Sequence, residues 1–385
     1  MRRLLGSLLL VWSCAAATAA EVRTAGTVND GWSDLKKLTL TGKISVGDAK
    51  RVARLLGEDD STVVFLNSTG GDYREGLALA ALFKENLVRT FVPAGSSCLS
   101  ACAIAFLGGT AEGEEGTQPS ARSIAVGARL GFHAPFIETG GSELTLRAVE
   151  DAYDRAIGTV TDFIRVSGGY GVSAEVAADM MTPQRSDLFY VRTVRDLRRV
   201  GVQVHPIGKA TSLTPSMAKN LCLNGWVSDE LTGTTWKEAE ETMAELWKDL
   251  AWREGTTVSI ESGMFGDVMK AKRAVLPMTQ DGEGAGYYSC LIEFATVDGE
   301  LVATNRGYIY TIDTGAILAD AKAFNRDVNE VANPDINTDF TIMAIDPLDR
   351  NAGDDELRFG IVPESTPIEE IESTIQRYTT TEKAL

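Results

Sequence analysis

Hydrophobic residues in the first half of the chain form two kinds of run, which alternate along the sequence. Short apolar and β-branched runs predict buried strands, which cover 38–44, 62–66, 88–93 and 129–133. Between them, apolar residues recur at helical spacing or form one compact apolar block. The predicted helices cover 48–56, a stretch that contains Leu77 and Phe83, and 100–106. Strands alternating with helices are typical of an α/β domain.

A long amphipathic segment follows this alternation. Residues 143–166 carry apolar side chains at helical spacing, which predicts a helix packed in the core or against another copy of the chain. The predicted elements after it are a helix at 173–181, a strand at 188–191 and a helix at 193–200. Thr193 and Asp196 have the spacing of a helix-capping box, so we expect Asp196 to bind backbone N–H groups.

The character of the sequence changes after residue 208. The predicted elements there are an acidic amphipathic segment at 236–252, a β-hairpin at 287–296 and 300–312, a strand at 340–345 and a polar tail. The hairpin turns at Asp298-Gly299, a pair that favours tight turns. We therefore predict an α/β domain over 34–208 and a smaller α+β C-terminal module over 209–385.

The first twenty residues have the layout of a signal peptide. Arg2 and Arg3 precede an apolar run, and small residues extend to Ala20. Residues 1–20 are therefore predicted to be removed, which leaves a soluble periplasmic or secreted protein. An uncleaved membrane anchor is the alternative, although the apolar run is short for a membrane span.

The charge of the chain argues against nucleic acid as a partner. The formal net charge is −17, and it becomes −19 when Arg2 and Arg3 are removed with the signal peptide, since that segment has no acidic residue. Nonspecific binding to nucleic acid depends on clustered Lys and Arg, and the sequence has no such cluster. The absence of a P-loop motif likewise predicts no nucleotide cofactor.

Three features of the α/β region fit acyl transfer. Ser100 lies where a strand is predicted to turn into a helix, and Gly70-Gly71 form a turn after another strand. His133 follows a third strand and is one of only two histidines in the chain. A serine nucleophile, backbone N–H donors for an oxyanion and a general base are the parts that this chemistry needs.

Four cysteines lie beyond the predicted signal peptide, and they allow three complete pairings. The local pattern favours disulfides Cys98–Cys102 and Cys222–Cys290, the first of which would stiffen the turn at Ser100. Buried free thiols are the alternative, because an i, i+4 bridge is strained when both residues lie on a helix. No metal is predicted, since no histidine stands at ligand spacing from these cysteines.

Four separated segments resemble the Clp protease proteolytic subunit and its exported Clp-like relatives. The segments are 64–71, the stretch around Ser100, 131–135 and 186–190, in the family's order, within a match that covers about residues 60–205. The resemblance implies a Clp/crotonase-like core of repeated ββα units. Thr69 departs from the family pattern, which usually has proline before the glycines.

The resemblance also implies roles for individual residues. It assigns Ser100 as nucleophile, His133 as general base and Asp187 as the acid that orients the histidine. It places the backbone N–H groups of Gly71 and Ala101 in the oxyanion hole. A homo-oligomer is consistent with the family, whereas an ATP-driven partner does not carry over to an exported chain.

Each role has a structural alternative. For Ser100 the alternative is a helix cap only, and for His133 it is a core histidine with satisfied hydrogen bonds. Asp179 and Asp196 are alternative orienting acids, and the alternative for Gly70-Gly71 is a simple turn. We regard His205, which precedes Pro206, as incidental.

Three functional hypotheses follow from the sequence. The first is an exported serine hydrolase, with a peptidase as the favoured class, that acts on a peptide or protein substrate through an acyl-enzyme. The second is a catalytically inactive Clp-like binding or scaffold protein. The third is a crotonase-type acyl-CoA enzyme, which an exported location without a CoA supply disfavours.

Overall fold

The computed structural model of the chain describes most of its first half and selected segments of its second half. The described residues are 20–29, 34–57, 61–113, 117–136, 145–182, 187–205, 207–208, 210–228, 238, 240–242, 253–262, 267–280, 287–297, 299–311, 341–346 and 360–384. The predicted signal peptide, except Ala20, and most of the amphipathic segment 236–252 lie outside these residues.

The chain divides into two compact units. Unit 1 consists of Met1–Val191 and Arg199–Gln203, and unit 2 consists of Arg192–Arg198 and Val204–Leu385. The predicted boundary between residues 208 and 209 stays a prediction. Among the residues that the structure describes, no helix has both the length and the apolar composition required to span a membrane.

Strands and helices alternate up to residue 205, so an α/β fold is confirmed. The elements are β1 (Glu21–Asn29), β2 (Asp34–Thr41), α1 (Asp48–Ala53), β3 (Thr62–Asn67), α2 (Tyr73–Glu85), β4 (Arg89–Val92), β5 (Ser97–Leu99), α3 (Ala101–Phe106), β6 (Arg122–Ala125), β7 (Arg129–Phe132), α4 (Leu146–Ser167), α5 (Ala174–Met181), β8 (Phe189–Tyr190), α6 (Val194–Val200) and β9 (Gln203–His205). A 3₁₀ helix, Gly168–Tyr170, follows α4.

Six strands form the larger sheet in the order β1-β2-β3-β4-β6-β9. The β1 and β2 strands pair antiparallel, whereas β2, β3, β4 and β6 pair parallel. Leu38, Leu40, Val64, Leu66 and Val92 are fully buried here. Because the register pairs Leu38 with Val64 and Leu40 with Leu66, these side chains lie on the same face of the sheet.

The smaller sheet of unit 1 has the order β5-β7-β8. The β5 and β7 strands are parallel, and Leu99 pairs with Gly131. The β7 and β8 strands are antiparallel, and Phe132 pairs with Phe189. The chain therefore passes twice through a strand of the larger sheet, a strand of the smaller sheet and then a helix, as β4-β5-α3 and as β6-β7-α4.

The helices α2 and α3 pack closely against each other. The side chain of Asp72 caps α2 by accepting a hydrogen bond of 2.9 Å from the N–H of Glu75. A Cβ added to Gly76 would lie 2.5 Å from the carbonyl oxygen of Ala101, so α2 approaches the first turn of α3 at backbone distance. All six residues of α3 are buried.

The long helix α4 buries only part of its apolar surface. Ala152, Thr159 and Phe163 are among its buried residues. Its exposed large apolar side chains are Leu146, Val149, Tyr153, Ile157, Ile164 and Val166. The helix predicted at 143–166 is confirmed over its described residues, with Thr145 as the N-cap.

Unit 2 contains a second sheet, an antiparallel meander. Its elements are α7 (Pro215–Ser228), β10 (Arg253–Ser262), β11 (Asp267–Gln280), β12 (Tyr287–Val297), β13 (Glu300–Thr311), β14 (Thr341–Asp346) and α8 (Ile371–Thr381), with a 3₁₀ helix, Ile368–Glu370, before α8. The five strands are ordered β10-β11-β12-β13-β14. The predicted hairpin is confirmed by β12 and β13, whose turn has Gly299 at φ 83°.

Two buried asparagines tie α7 to the segment before α8. The Asn220 side chain donates a hydrogen bond of 3.1 Å to the carbonyl of Ile361. The Asn224 side chain donates to the carbonyls of Gly360 and Val362, at 2.6 and 2.9 Å. The C-terminal stretch therefore contains an ordered helix, where the sequence predicted only a polar tail.

Candidate active site

Ser100 lies at the junction of β5 and α3 in an uncommon backbone conformation. Its φ is 58° and its ψ is −124°. Only one other non-glycine residue of the described chain, Leu87, has a positive φ. Such a conformation costs a residue with a Cβ about 1–3 kcal/mol, and it persists only where the surroundings enforce it. A serine on a strained strand-to-helix turn exposes its hydroxyl at the apex of the turn.

Neighbouring backbone groups hold this conformation. The N–H of Ser100 donates a hydrogen bond of 2.9 Å to the carbonyl of Gly131. The carbonyl of Ser100 accepts a hydrogen bond of 3.1 Å from the N–H of Ile104. The hydroxyl makes no capping hydrogen bond to α3, so the helix-cap interpretation has no support in the geometry. Ser100 is half-buried.

The glycine turn lies directly against Ser100. A Cβ on Gly70 would be 2.6 Å from the Cβ of Ser100, so only glycine permits this approach. A Cβ on Gly71 would be 2.0 Å from the carbonyl oxygen of Ile44. Ile44 also forms hydrogen bonds on both sides of Gly71. Its N–H donates to the carbonyl of Gly70, and its carbonyl accepts from the N–H of Asp72, each at 2.9 Å. The sequence did not single out Ile44, although it ends the apolar run predicted as the first strand.

Two backbone N–H groups are free of protein partners beside Ser100. Gly71 and Ala101 donate no backbone hydrogen bond to any residue of the described chain. Ala101 is the first residue of α3, where N–H groups have no intrahelical acceptor and the helix dipole is positive. These are the two groups that the resemblance assigns to an oxyanion hole.

His133 is buried, with 5% of its surface exposed, and follows β7 directly. Its Nδ1 lies 2.6 Å from the carbonyl oxygen of Ala134. When Nδ1 carries the proton and donates to this carbonyl, Nε2 keeps a lone pair and acts as an acceptor. The ring of Phe136 packs against the imidazole at a centroid distance of 5.1 Å.

The strand register brings Ser100 and His133 to the same end of the paired strands β5 and β7. Leu99 and Gly131 are paired, and each strand ends within one residue of that pair. Since paired strands lie about 4.8 Å apart, the residues that leave them at the same end are near neighbours. No hydrogen bond joins Ser100 to His133 in the described residues.

Asp187 precedes β8, which runs antiparallel to β7. The pair Phe132–Phe189 is the last of that ladder, so His133 and Asp187 both lie just beyond its end. Asp187 is exposed and makes no hydrogen bond or ion pair with the described residues.

The two alternative acids are engaged elsewhere. Asp179 forms an ion pair of 2.5 Å with Arg199. The Asp196 carboxylate accepts hydrogen bonds of 3.0 Å from the N–H groups of Arg192 and Thr193, which confirms its predicted capping role. Asp187 is thus the candidate acid that no other described group occupies.

Both predicted disulfides are present. Cys98 and Cys102 are joined across Ser100, with Cα atoms 5.0 Å apart, and Cys222 and Cys290 are joined with Cα atoms 5.9 Å apart. The expected strain of a helical i, i+4 bridge does not arise, because Cys98 lies in β5 and only Cys102 lies in α3.

A buried tyrosine anchors the helix that follows the glycine turn. Tyr73 is the first residue of α2, and its hydroxyl lies 3.0 Å from the sulfur of Met181. Burial raises the pKa of Tyr73 above its ordinary value, so the phenol is neutral. In the larger sheet, burial lowers the pKa of Arg122 to about 10, and this guanidinium donates to the carbonyl of Tyr170 at 2.7 Å.

Comparisons with known proteins give a likeness in structure only. No protein-family model matches the chain, and no curated protein matches it. A solved structure that matches is a mutant of ClpP1 from Listeria monocytogenes, with 21% identity and a TM-score of 0.32. The match covers 43% of this chain and 86% of that chain. A likeness at this level does not assign the chain to a family.

Proposed function

We propose that this protein is an exported serine hydrolase, with peptide or protein substrates, that works through an acyl-enzyme on Ser100. The observation that carries the proposal is the backbone of Ser100, a strained strand-to-helix turn with φ 58° whose hydroxyl serves no capping role. Strain of this kind concentrates at functional sites, because a residue with only a structural role gains nothing from it.

In the proposed first step, His133 acts as general base. Nε2 takes the proton from the Ser100 hydroxyl while the Ser100 oxygen forms a bond to the substrate carbonyl carbon. The Nδ1 contact with Ala134 supports this role, since it leaves Nε2 as the proton acceptor. The histidine then returns the proton to the leaving group as the tetrahedral intermediate collapses to the acyl-enzyme.

The negative charge of the tetrahedral intermediate would be bound by the N–H groups of Gly71 and Ala101. Both groups are unpaired within the described chain, and the tight contact at Gly70 keeps the turn beside Ser100. Donors that are already oriented need no reorganisation during the reaction. A water molecule, activated by the same histidine, would then hydrolyse the acyl-enzyme.

We assign Asp187 as the acid that stabilises the imidazolium. Its support is that Asp187 has no partner among the described residues, whereas Asp179 and Asp196 are engaged with other groups. In this conformation the Ala134 carbonyl already holds the proton on Nδ1, so the contribution of Asp187 is electrostatic more than orienting.

The proposed location is the periplasm or the extracellular space, without an ATPase partner. Two disulfides fit an oxidising compartment, and the N-terminal signal-peptide pattern supports export.

We also propose a homo-oligomer, because α4 exposes a row of apolar side chains that includes Tyr153 and Ile157. Sedimentation velocity of the wild type and of Ile157→Glu tests it, with dissociation of the variant expected and a monomeric wild type contradicting it.

A fluorophosphonate probe tests the main proposal. Wild-type protein should be labelled covalently at one site, and Ser100→Ala should lose all labelling while it stays folded by circular dichroism. Ser97→Ala is the matched control, since Ser97 lies in β5, three positions before Ser100. This variant should leave labelling unchanged. Labelling that survives in Ser100→Ala would reject the nucleophile.

A second candidate function is an inactive Clp-like binding or scaffold protein. The absence of hydrogen bonds among Ser100, His133 and Asp187 in the described chain favours it. It predicts a folded wild-type protein that the probe does not label and that hydrolyses no ester or peptide. Turnover abolished by Ser100→Ala would eliminate it.

A further inference from the structure

The turn at Ser100 needs an external constraint. A non-glycine residue at φ 58° and ψ −124° lies outside the broad allowed regions, so a free chain leaves that conformation readily. The Ser100 side chain contributes nothing to holding it, because the hydroxyl makes no hydrogen bond within the described chain. The turn is therefore fixed by the backbone hydrogen bonds of Ser100 with Gly131 and Ile104 and by the residues on either side.

The Cys98–Cys102 disulfide acts on those flanking residues. Cys98 is the middle residue of β5, and Cys102 is the second residue of α3. Four extended residues would separate their Cα atoms by about 13 Å. The observed separation is 5.0 Å, so the bridge excludes extended conformations of residues 98–102 and keeps Ser100 within a compact turn.

The bridge is also well placed to transmit this constraint. Both cysteines are fully buried, and so are Ala101 and Ala103 next to them. On one side, the backbone of Cys98 pairs with Leu130 of β7, and on the other side it forms an isolated β-bridge with Ser68. The disulfide therefore links the start of α3 to a strand that is held on both edges.

We propose that the Cys98–Cys102 disulfide is a positioning element that holds Ser100 and the Ala101 N–H in their reactive arrangement. This inference rests on the proposed hydrolase function and deepens it. The local bridge differs in role from a disulfide that only stabilises the fold. Its two cysteines are four positions apart, so the constraint acts on the nucleophile between them.

The burial of the bridge indicates a permanent constraint and not a redox switch. Reduction by thiol exchange requires a thiolate to reach one of the sulfur atoms. Neither Cys98 nor Cys102 has any exposed surface, so a small thiol has no approach to the folded protein. Mild thiol treatment of the native protein should accordingly leave labelling at Ser100 unchanged.

The test compares two double variants of the full chain. Cys98→Ala with Cys102→Ala removes the local bridge, and Cys222→Ala with Cys290→Ala removes the other bridge as a matched control. The readout is the second-order rate constant for labelling by a fluorophosphonate, together with kcat and KM for a reactive ester. We expect labelling and kcat to fall about hundredfold without the local bridge, with KM little changed, as misplacement by about 1 Å can cost that much. The control should stay within about twofold of the wild type on the same readouts.

Several outcomes would overturn the inference. Labelling of the folded Cys98→Ala/Cys102→Ala variant at the wild-type rate rejects it while the hydrolase proposal stands. A wild type that is not labelled rejects both. If the alanine pair fails to fold, Cys98→Val with Cys102→Ala retains more of the buried volume and gives the same readout, and wild-type labelling of that variant likewise rejects the inference. A fall in labelling after mild thiol treatment would contradict the permanent constraint.

Discussion

The two disulfides of this protein differ in what they stabilise, which is a single turn in one case and the fold of unit 2 in the other. Cys98–Cys102 joins residues four positions apart around one serine, whereas Cys222–Cys290 joins residues 68 positions apart, one in α7 and one in β12. Loop-closure entropy gives about 4 kcal/mol for the long separation and about 2 kcal/mol for the short one. The long bridge is thus suited to holding unit 2 together, and the short one to fixing a local conformation.

Their surroundings agree with this division. The local bridge lies beside the strained Ser100 and two unpaired N–H groups. The long bridge lies between fully buried cysteines, near buried side chains such as Leu221 and Ile292. The local disulfide therefore fixes the conformation of the turn at Ser100, whereas the long disulfide lowers the entropy of the unfolded chain. Each disulfide can be removed without the other.

Replacing His133 is the sharpest way to test whether the region of the local bridge is reactive. We expect His133→Gln to lower the rate of Ser100 labelling about a thousandfold, because general-base assistance to the hydroxyl is lost. Labelling by the fluorophosphonate, followed over time by intact-mass spectrometry, measures it. His205→Gln is the matched control and should label at the wild-type rate. Equal labelling of both variants would show that His133 is not the base.

Removing the long bridge should lower stability without lowering reactivity. Cys222→Ala with Cys290→Ala should reduce the free energy of unfolding of unit 2 by about 4 kcal/mol. Tryptophan fluorescence in urea reports it, since Trp226, Trp236, Trp247 and Trp252 lie in unit 2. A loss equal to that of the Cys98–Cys102 double variant would break the proposed distinction.

Gly71→Ala should damage the site on the other side of Ser100. The added Cβ would lie 2.0 Å from the Ile44 carbonyl, so the turn must shift at a cost of about 3 kcal/mol, and labelling should fall as the N–H moves. Gly127→Ala is the control, because Gly127 has φ +81° but open space around its Cβ position. It should cost about 1 kcal/mol and leave labelling intact. Amide exchange and labelling rates separate the two, and a harmless Gly71→Ala would remove this residue from the oxyanion hole.

Asp187→Asn should have a moderate effect on reactivity. We expect a decrease of roughly ten- to a hundredfold in the labelling rate, below the 10⁴-fold loss seen when the acid alone sets the tautomer, because Ala134 also accepts from Nδ1. Asp179→Asn breaks the ion pair with Arg199 and serves as the control. A larger loss in the control than in Asp187→Asn would reassign the acid.

Alkaline pH should weaken the contribution of buried Tyr73 to the stability of unit 1. The pKa of Tyr73 is raised by burial from an ordinary value of 10.0, so above that pH the unfolded chain loses a proton that the folded chain keeps. The contribution of Tyr73 to stability is fully present below pH 10 and should fall by about 1.4 kcal/mol for each further pH unit. The lowered pKa of Arg122 contributes a slope of opposite sign in this range, so the effect of Tyr73 is read as the difference between the wild type and Tyr73→Phe. Tyr73→Phe should reduce this slope. Hydrogen exchange in α2 and α7 between pH 9 and 11 measures both units, and an unchanged slope in the variant would contradict the assignment.

Local sequence signals predicted much of the fold of unit 1. The strand at β3, the helix at α3 and the long helix α4 follow from apolar runs and helical periodicity. The strand β1 was missed because it is almost wholly exposed and has no apolar face. The strand β6 was missed because only two of its four residues, Ile124 and Ala125, are apolar. Its first residue, Arg122, is a charged side chain that is nevertheless buried.

The site was accessible to sequence reasoning only in part. The turn residues and the cysteine spacing indicated where Ser100 and its bridge would lie. The carbonyls of Ile44, Gly131 and Ala134 could not be found in this way, because any residue type offers a carbonyl and only the register determines which one contacts the site. The pairing of β5 with β7 is likewise set by long-range contacts that no local pattern encodes.

The backbone contact at Gly76 has a further consequence. Gly71 lies in the turn before α2, and the contact of Gly76 with the Ala101 carbonyl limits how closely α2 and the beginning of α3 approach each other. The spacing of the Gly71 and Ala101 N–H groups therefore depends on helix packing as well as on the contacts that Ile44 makes with the turn. Enlarging Gly76 should widen that spacing without touching either donor.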